Sequence, residues 1–331
     1  MNARILWLVL GSIGVVLGAL AVCHVGPGVA FAALLKGSLG TPNGITKSLE
    51  NTTPLLLAGI AVFLALRAGL FNIGAEGQFL VGALACTAVA LKFPGVVGIV
   101  LGTVAAIAAG AAWAWPAGAI KAYRGGHEVI TTIMLNSVAT LLTGYMVGSG
   151  PMRAGGGDTT TASLTDATRL PAVIHSGAFS LNIALPLAVA MTAALGWWLR
   201  KTVSGYELRA VGANPTAALY AGVDPRKTAV RAMLASGAVA GFAGAVQVLA
   251  YEGRFYAGFS PGYGFDALGV ALLAGESALA LIPAALLFGV LAKGALNLQF
   301  VHVPKGITTV ILALLILIVA AVRAKGVKKV A

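Results

Sequence analysis

Polar side chains recur at helical spacing in one apolar segment of the chain. Glu128, Thr132 and Asn136 are four residues apart, with Thr131 beside them, inside the apolar window 128–148. This spacing places the side chains on one face of an α-helix. Inside an apolar helix bundle, such a stripe lines a route for a polar solute or bonds neighbouring helices. We expect it to line a pathway, with interhelical hydrogen bonding as the alternative.

A glycine-rich segment interrupts two apolar runs at residues 69–78. It holds three glycines and the polar side chains Asn72, Glu76 and Gln78. Such a stretch is either a simple turn or a broken helix whose free backbone groups face a cavity. Glu76 also suits the first turn of a following helix, where a carboxylate complements the helix dipole.

Phe265, Asp266 and Glu276 form a third candidate set, again next to glycines. An ionisable side chain within a membrane span is costly and usually faces the bundle interior. Asp266 could equally lie at the membrane interface, where it would need no functional explanation. The two readings stay open.

Several kinds of chemistry have no signal in the sequence. The two cysteines lie inside apolar runs and the four histidines show no ligand spacing, so we expect no disulfide and no metal site. No Gly-Lys dipeptide occurs, so the chain lacks a phosphate-binding loop of the G-x-x-x-x-G-K-[ST] kind. No nucleophile elbow and no carboxylate pair with a histidine is present. We therefore expect a non-enzyme without a cofactor, and any ATP would be bound by another chain.

The composition indicates a membrane protein with many spans. Of the 331 residues, 59 % are hydrophobic and 10 % are charged, and the mean hydropathy is +0.93. An all-α polytopic fold follows, because a spanning helix needs about 20 apolar residues. Ten such windows occur, the eighth and ninth poorly separated: 5–23, 51–70, 78–93, 96–120, 128–148, 181–200, 229–250, 264–281, 283–300 and 306–323.

The positive charges follow topology, which argues against nucleic-acid binding as the source of the net charge of +12. With ten spans and a cytoplasmic N-terminus, the positive-inside rule is satisfied, and both termini are cytoplasmic. Fourteen of the 22 basic residues then fall inside: Arg4, Arg67, Lys121, Arg124, Arg200, Lys201, Arg209, Arg226, Lys227, Arg231, Arg323, Lys325, Lys328 and Lys329.

Two hydrophilic stretches fall on opposite sides in this topology. Residues 149–180 are rich in Gly, Thr, Ser and Asp and form an outer, turn-rich segment. Residues 201–228 are cytoplasmic. Asn214-Pro215 and Asp224-Pro225 each combine an N-cap with a proline at the first helical position. The first pair predicts a short helix at 215–221, packed against something, since two turns alone are marginal in water.

These motifs together resemble a known family. The segments that carry the resemblance are Asn72-Ile-Gly-Ala-Glu-Gly-Gln78, Glu128-Val-Ile-Thr-Thr-Ile-Met-Leu-Asn136 and Gly205–Gly222. They are similar to membrane permease subunits of bacterial ABC importers in the branched-chain amino acid and ribose group, more narrowly to nucleoside and simple-sugar permeases. Thr216 replaces the glutamate of the general E-A-A-x-x-x-G loop, and the stretch 272–277 departs from the glycine-rich pattern usual there.

The resemblance implies a function, partners and site residues. It implies one permease domain over 1–331, in the bacterial inner membrane, that moves nucleosides or simple sugars by alternating access. A separate ATPase with its ATP and Mg, a second permease in a heterodimer, and an extracytoplasmic binding protein or lipoprotein would complete the system. The expected pathway residues are Asn72, Glu76, Gln78, Glu128, Thr131, Thr132 and Asn136. The expected ATPase-coupling residues are Arg209, Gly212, Asn214, Pro215, Ala217, Ala218, Tyr220 and Gly222.

An ion-coupled secondary transporter with inverted repeats is the alternative, since two halves of five spans would run in opposite directions. Such a carrier needs a titratable relay or cation site deep in the spans. The short capped helix at 215–221 has no task in it. A membrane scaffold, the third class considered, would not need the polar stripe.

Overall fold

The protein is helical throughout most of the part that the computed structural model describes. The described residues are 14, 15, 17, 18, 20–155, 157–304, 310, 313 and 314. In chain order the helices are α1 (Pro27–Ser38), α2 (Pro42–Arg67), α3 (Ala75–Ala90), α4 (Val96–Arg124), α5 (Glu128–Gly148), α6 (Ala184–Lys201), α7 (Val203–Ala213), α8 (Pro215–Tyr220), α9 (Pro225–Val246), α10 (Tyr263–Ala274) and α11 (Leu281–Leu298). A π-helical turn at Gln247–Glu252 extends α9.

Short elements fill the connections. Three 3-10 turns lie at Asp166–Thr168, Ala278–Ala280 and Gln299–Val301. Strands β1 (Ala172–Ser176) and β2 (Phe179–Asn182) form a hairpin. Residues 149–180 therefore include a strand as well as turns, whereas their composition predicts turns alone.

In the part of the chain that the structure describes, five helical segments are long and apolar enough to cross a membrane: Pro42–Arg67, Val96–Arg124, Glu128–Gly148, Pro225–Glu252 and Ala278–Val301. The apolar helices α3 and α10 are shorter. Most of the predicted windows coincide with helices, but the first window and the tenth lie largely outside the described residues. The fold is that of a polytopic helical membrane protein, and the prediction of ten spans is not confirmed by the described residues.

Three differences from the sequence windows have a physical cause. The window at 51 misses the first turns of α2, which begins at Pro42, because Ser48 and its polar neighbours lower the local hydropathy although Ser48 is buried. No window covers α1, because it is only 12 residues long. The eighth window, 264–281, is longer than α10, because Gly275 ends this helix within the window, with a φ of +64° that favours glycine.

The described residues fall into two compact units, within 1–52, 174–181 and 283–331 and within 53–173 and 182–282. In the first unit, Leu34 of α1 packs in a small core with Leu20, Leu298 and Val303. The second unit contains every residue that the sequence marks as a pathway or coupling candidate.

Small residues let α4 and α9 approach closely in the second unit. The buried face of α4 carries a glycine or alanine every four residues: Gly98, Gly102, Ala106, Gly110 and Ala114. A methyl group on Gly241 of α9 would strike the carbonyl oxygen of Ala106, and one on Gly110 would strike that of Gly237. Backbone contact of this kind is how membrane helices associate where the lipid offers no hydrophobic gain.

The segment between α5 and β1 covers the end of α9. Its backbone amides at Thr161, Leu164 and Leu170 donate to carbonyl oxygens of Phe255, Gly253 and Leu249, at 2.7–2.8 Å. Thr161 and Leu164 are buried. This loop is therefore paired with the chain that follows α9 rather than extended into solvent.

Candidate functional site

The turn between α2 and α3 is buried and tied to its neighbours through side chains. Asn72 Nδ2 donates to Gln78 Oε1 at 2.8 Å and to Ser236 Oγ at 2.7 Å. Gln78 Nε2 donates in return to Asn72 Oδ1 at 3.1 Å. The Ser236 hydroxyl donates to the carbonyl oxygen of Ala61 at 2.6 Å. This network joins the turn to α2 on one side and to α9 on the other.

Asn136 of α5 caps α3, a helix that lies about sixty residues earlier in the chain. Its Oδ1 accepts from the backbone N–H of Gly77, in the first turn of α3, at 2.9 Å. Its Nδ2 donates to the carbonyl oxygen of Ile73 at 2.9 Å. The residue before α3 is Gly74, which has no side chain with which to cap. Asn136 therefore satisfies an amide that a helix start leaves unpaired.

The other members of the α5 stripe are placed differently. Glu128 is buried and pairs with Lys121 near the end of α4, with Nζ and Oε2 2.8 Å apart. Thr132 is fully buried and its hydroxyl donates to a carbonyl of its own helix. Thr131 is only partly buried and donates to the carbonyl oxygen of His127. Asn136 and Thr132 thus lie beside the turn between α2 and α3. Thr131 is partly exposed and bonds only within its own chain segment.

Glu76 links the starts of two helices. Its Oε2 accepts from the backbone N–H of Gly264, in the first turn of α10, at 2.7 Å. A side chain at Gly264 would strike the Glu76 backbone, so the two helix ends are in direct contact. A carboxylate at this place also complements the dipole of α10. Asp266, in the same turn of α10, is exposed, and Glu276 is exposed beyond the end of α10.

The short helix predicted at 215–221 is present as α8, Pro215–Tyr220. Asn214 caps it, with its Oδ1 accepting from the amide of Ala217 at 3.0 Å. Asp224 caps α9 in the same way. The backbone N–H of Lys227, with that of Arg226, stabilises the Asp224 carboxylate and lowers its pKa. Both cap-and-proline signals therefore begin helices.

The surface of α8 is divided between a buried alanine and exposed large side chains. Ala218 is 3 % exposed, whereas Leu219 is 58 % and Tyr220 is 89 % exposed. Gly222 ends the helix with φ +84°. A residue of this conformation favours glycine, because a side chain there is strained.

Backbone contact joins α7, the helix before α8, to the end of α2. A methyl group on Gly212 would strike the carbonyl oxygen of Arg67, and one on Gly69 would lie 3.3 Å from the Gly212 Cα. Gly69 has φ +75° and begins the turn that leads to Asn72. The backbone of α7 therefore contacts the backbone at the start of the buried turn directly, without an intervening side chain.

Sequence reasoning missed the aromatic group around the π-helical turn. Phe79 of α3 lies 6.0 Å from Phe259 and 5.8 Å from Tyr263, measured between ring centroids. Within the turn, Gln247 Nε2 donates to Glu252 Oε1 at 3.2 Å. These residues are distant in sequence, and a π turn has no compositional signature. The aromatic content of 253–263 was the one visible signal.

Long apolar helices, a buried polar turn between α2 and α3 and an exposed capped helix define a polytopic membrane protein. Comparison with known families gives the particular group. Residues 44–320 match the branched-chain amino acid transport system/permease component family, and the chain belongs to it. It is therefore a membrane permease subunit, and the alternative of an ion-coupled carrier is not favoured.

Three relatives match over most of the chain. The guanosine ABC transporter permease protein NupP of Bacillus subtilis is 38 % identical over 93 % of this chain and 90 % of its own length. The glucose ABC transporter permease protein TsgB13 of Haloferax volcanii is 38 % identical over 94 % and 87 %. The nucleoside ABC transporter permease protein NupB of Lactococcus lactis is 32 % identical over 93 % and 88 %. No solved structure matches the chain significantly.

Proposed function

We propose that the chain is the permease subunit of an ABC importer that moves nucleosides across the inner membrane. The observation that carries this proposal is its similarity to a guanosine and a nucleoside permease over more than nine tenths of its length. The similarly close glucose permease makes simple sugars the second candidate. Both classes of solute are polar and neutral.

The chemistry of the buried turn supports a neutral polar solute. We propose that the pathway runs beside Asn72, Glu76, Gln78, Glu128, Thr131, Thr132 and Asn136. The amides of Asn72, Gln78 and Asn136 are neutral donors and acceptors, and Glu76 and Glu128 each have a partner within the protein. A fixed unpaired charge would trap such a solute or require a counter-ion. The contacts seen among these residues hold the wall of the pathway in one arrangement.

The work comes from a separate ATPase in this proposal, and ATP and Mg lie on that partner. We propose that α8 docks into it on the cytoplasmic side, with Leu219 and Tyr220 as the exposed anchors. Exposed large apolar side chains on a short polar segment are typical of a protein interface. The coupling set also includes Arg209, Gly212, Asn214, Pro215, Ala217, Ala218 and Gly222.

The contact of Gly212 with Arg67 and Gly69 supplies a route for the coupling. Displacement of α8 and α7 would move the end of α2, and the turn that begins at Gly69 carries Asn72. Closure of the ATPase would thereby change the arrangement around Asn72. In this scheme residues 1–331 act as one permease domain, with both termini cytoplasmic, a second permease beside it and a binding protein outside.

Uptake measurements test the substrate. We expect cells that express the complete system to take up labelled guanosine and uridine, and to ignore leucine. Asn136→Leu should lower nucleoside uptake at least about tenfold, since it leaves two buried backbone groups unpaired. Ser137→Ala, on the exposed side of the same helix, is the matched control.

Glucose uptake without nucleoside uptake would select the second candidate. Leucine uptake alone would refute both. Unchanged nucleoside uptake in Asn136→Leu would remove this face of α5 from the pathway.

A further inference from the structure

A basic cavity of about 250 Å³ lies where α2 and α6 end, beside α7. Its charged lining consists of Arg67, Arg200, Arg209 and Glu276, and Ser277 adds a hydroxyl group. Three guanidinium groups thus face one carboxylate. All of these residues belong to the same compact unit.

The helix ends account for only two of the arginines. Arg67 and Arg200 lie in the last turns of α2 and α6, where a cation is stabilised by the helix dipole. Arg209 lies within α7 and has no such reason to be there. Its Nε atom is buried and has no hydrogen-bond partner. A buried donor without a partner costs folding free energy, so a ligand that supplies an acceptor to this atom would bind favourably.

The carboxylate in the lining does not fill that need. Among the described residues, no ion pair joins Glu276 to any of the three arginines. Glu276 and Arg200 are exposed, whereas Arg67 and Arg209 are partly buried. The inner part of the cavity therefore holds two guanidinium groups, with donor capacity that the protein does not use.

We propose that this cavity binds a phosphate group. Guanidinium groups bind phosphate oxygens through two parallel hydrogen bonds, and a hydroxyl group such as that of Ser277 adds a further donor. The phosphate could belong to the headgroup of an anionic phospholipid or to a soluble phosphate compound. Basic pockets beside the ends of membrane helices on the cytoplasmic side suit the first source.

A phosphate bound in the cavity would hold α7 against the ends of α2 and α6. The bound phosphate would join Arg209 of α7 to Arg67 of α2 and Arg200 of α6. Gly212, whose backbone touches that of Arg67, is one turn from Arg209. The ligand would therefore stiffen the contact through which we propose that α8 acts. The site does not depend on which solute is transported, and its test needs no ATPase.

Binding can be measured on the purified full-length chain in a neutral detergent. We would titrate it with phosphatidylglycerol, phosphatidylcholine and inorganic phosphate, counting bound lipid by native mass spectrometry and following the melting temperature. Arg209→Gln and Arg200→Gln remove cavity arginines, the second at an exposed position that folding tolerates. Arg226→Gln, an exposed arginine outside the cavity, is the control.

We expect phosphatidylglycerol to bind more tightly than phosphatidylcholine, and both cavity variants to weaken it at least about tenfold, while the control does not. If inorganic phosphate raises the melting temperature as much as the lipid, and the cavity variants abolish the rise, the source is a soluble phosphate. Equal lipid and phosphate binding by the wild type and both cavity variants would overturn the proposal. So would a wild-type chain that binds neither the anionic lipid nor inorganic phosphate.

Discussion

Around the buried turn before α3, amide side chains form hydrogen bonds with backbone groups and with one another. Asn136 satisfies a donor and an acceptor on opposite sides of the break before α3. Asn72 and Gln78 satisfy each other, and Ser236 connects them to α2. Such networks are neutral, so they can lie in an apolar bundle without the cost of a buried charge.

Loss of the Asn136 amide should destabilise the folded protein. Asn136→Leu keeps the number of side-chain heavy atoms and their branching but leaves the Gly77 N–H and the Ile73 carbonyl oxygen unpaired, each at about 1–3 kcal/mol. We expect a clearly lower melting temperature in detergent. Thr131→Val, which removes only a bond to its own helix, should melt close to the wild type. Identical melting of Asn136→Leu and the wild type would show that water replaces the amide.

Helices α4 and α9 pack by shape rather than by side-chain volume. Their facing surfaces consist of glycine and alanine, so that carbonyl oxygens meet Cα atoms. No spare volume exists at these positions. This arrangement explains why α9 is a largely buried helix although so few of its side chains are large.

A large side chain at the α4–α9 contact should prevent folding. Gly241→Leu would drive a side chain into the backbone of α4, and overpacking in a core costs roughly 1–3 kcal/mol or more. We expect loss of the monodisperse peak in size-exclusion chromatography. Gly144→Leu, on α5 where no atom lies within 4 Å of the new Cβ, should retain the peak. Equal profiles would contradict the close packing.

The exposed side chains of α8 should be needed for docking but not for folding. Replacing the 89 % exposed Tyr220 by serine removes an apolar anchor from the proposed interface. We expect weaker co-purification of the ATPase and at least about tenfold lower uptake, with unchanged melting. Tyr145→Ser, at the far part of α5, is the control. Full ATPase association in Tyr220→Ser would exclude this side chain from the interface.

The sequence predicts the elements better than their contacts. Caps such as Asn214 and Asp224 act within a few residues of their own helix, so both helix starts are visible in the sequence. The pairing of Asn136 with residues 73 and 77 spans about sixty positions and depends on how α5 packs. The stripe therefore predicts a polar face but not its partner. The Gly212 contact and the π turn have no local signal at all.

At the scale of the whole molecule, the distribution of basic residues along the sequence favours the orientation that the proposed function requires. The basic cavity, α7 and α8 contain or adjoin arginines and lysines that the sequence assigns to the cytoplasm. Residues 149–180, which the sequence assigns to the outer side, contain only two basic residues, Arg153 and Arg169. Positive residues are retained on the cytoplasmic side during insertion. An importer must present its coupling helix to the ATPase on that same side.

Cysteine labelling tests this orientation. In a Cys23→Ser background, Tyr220→Cys should react with an impermeant maleimide only when the inner face is accessible, as in inverted vesicles. Asp158→Cys, exposed in the outer loop, should react in intact cells from which any outer membrane has been removed. Cys86 is buried and should stay unlabelled in both. The opposite pattern would reverse the topology.

The π-helical turn at the end of α9 has a consequence for alignment. A π turn holds one residue more than an α-helical turn, and one residue corresponds to about 100° of rotation about the helix axis. A relative with a regular α-helix here would be one residue shorter. A gap placed before the turn would shift the α9 residues between the gap and Gln247 by one position, and residues transferred from that relative would lie on the wrong side of α9.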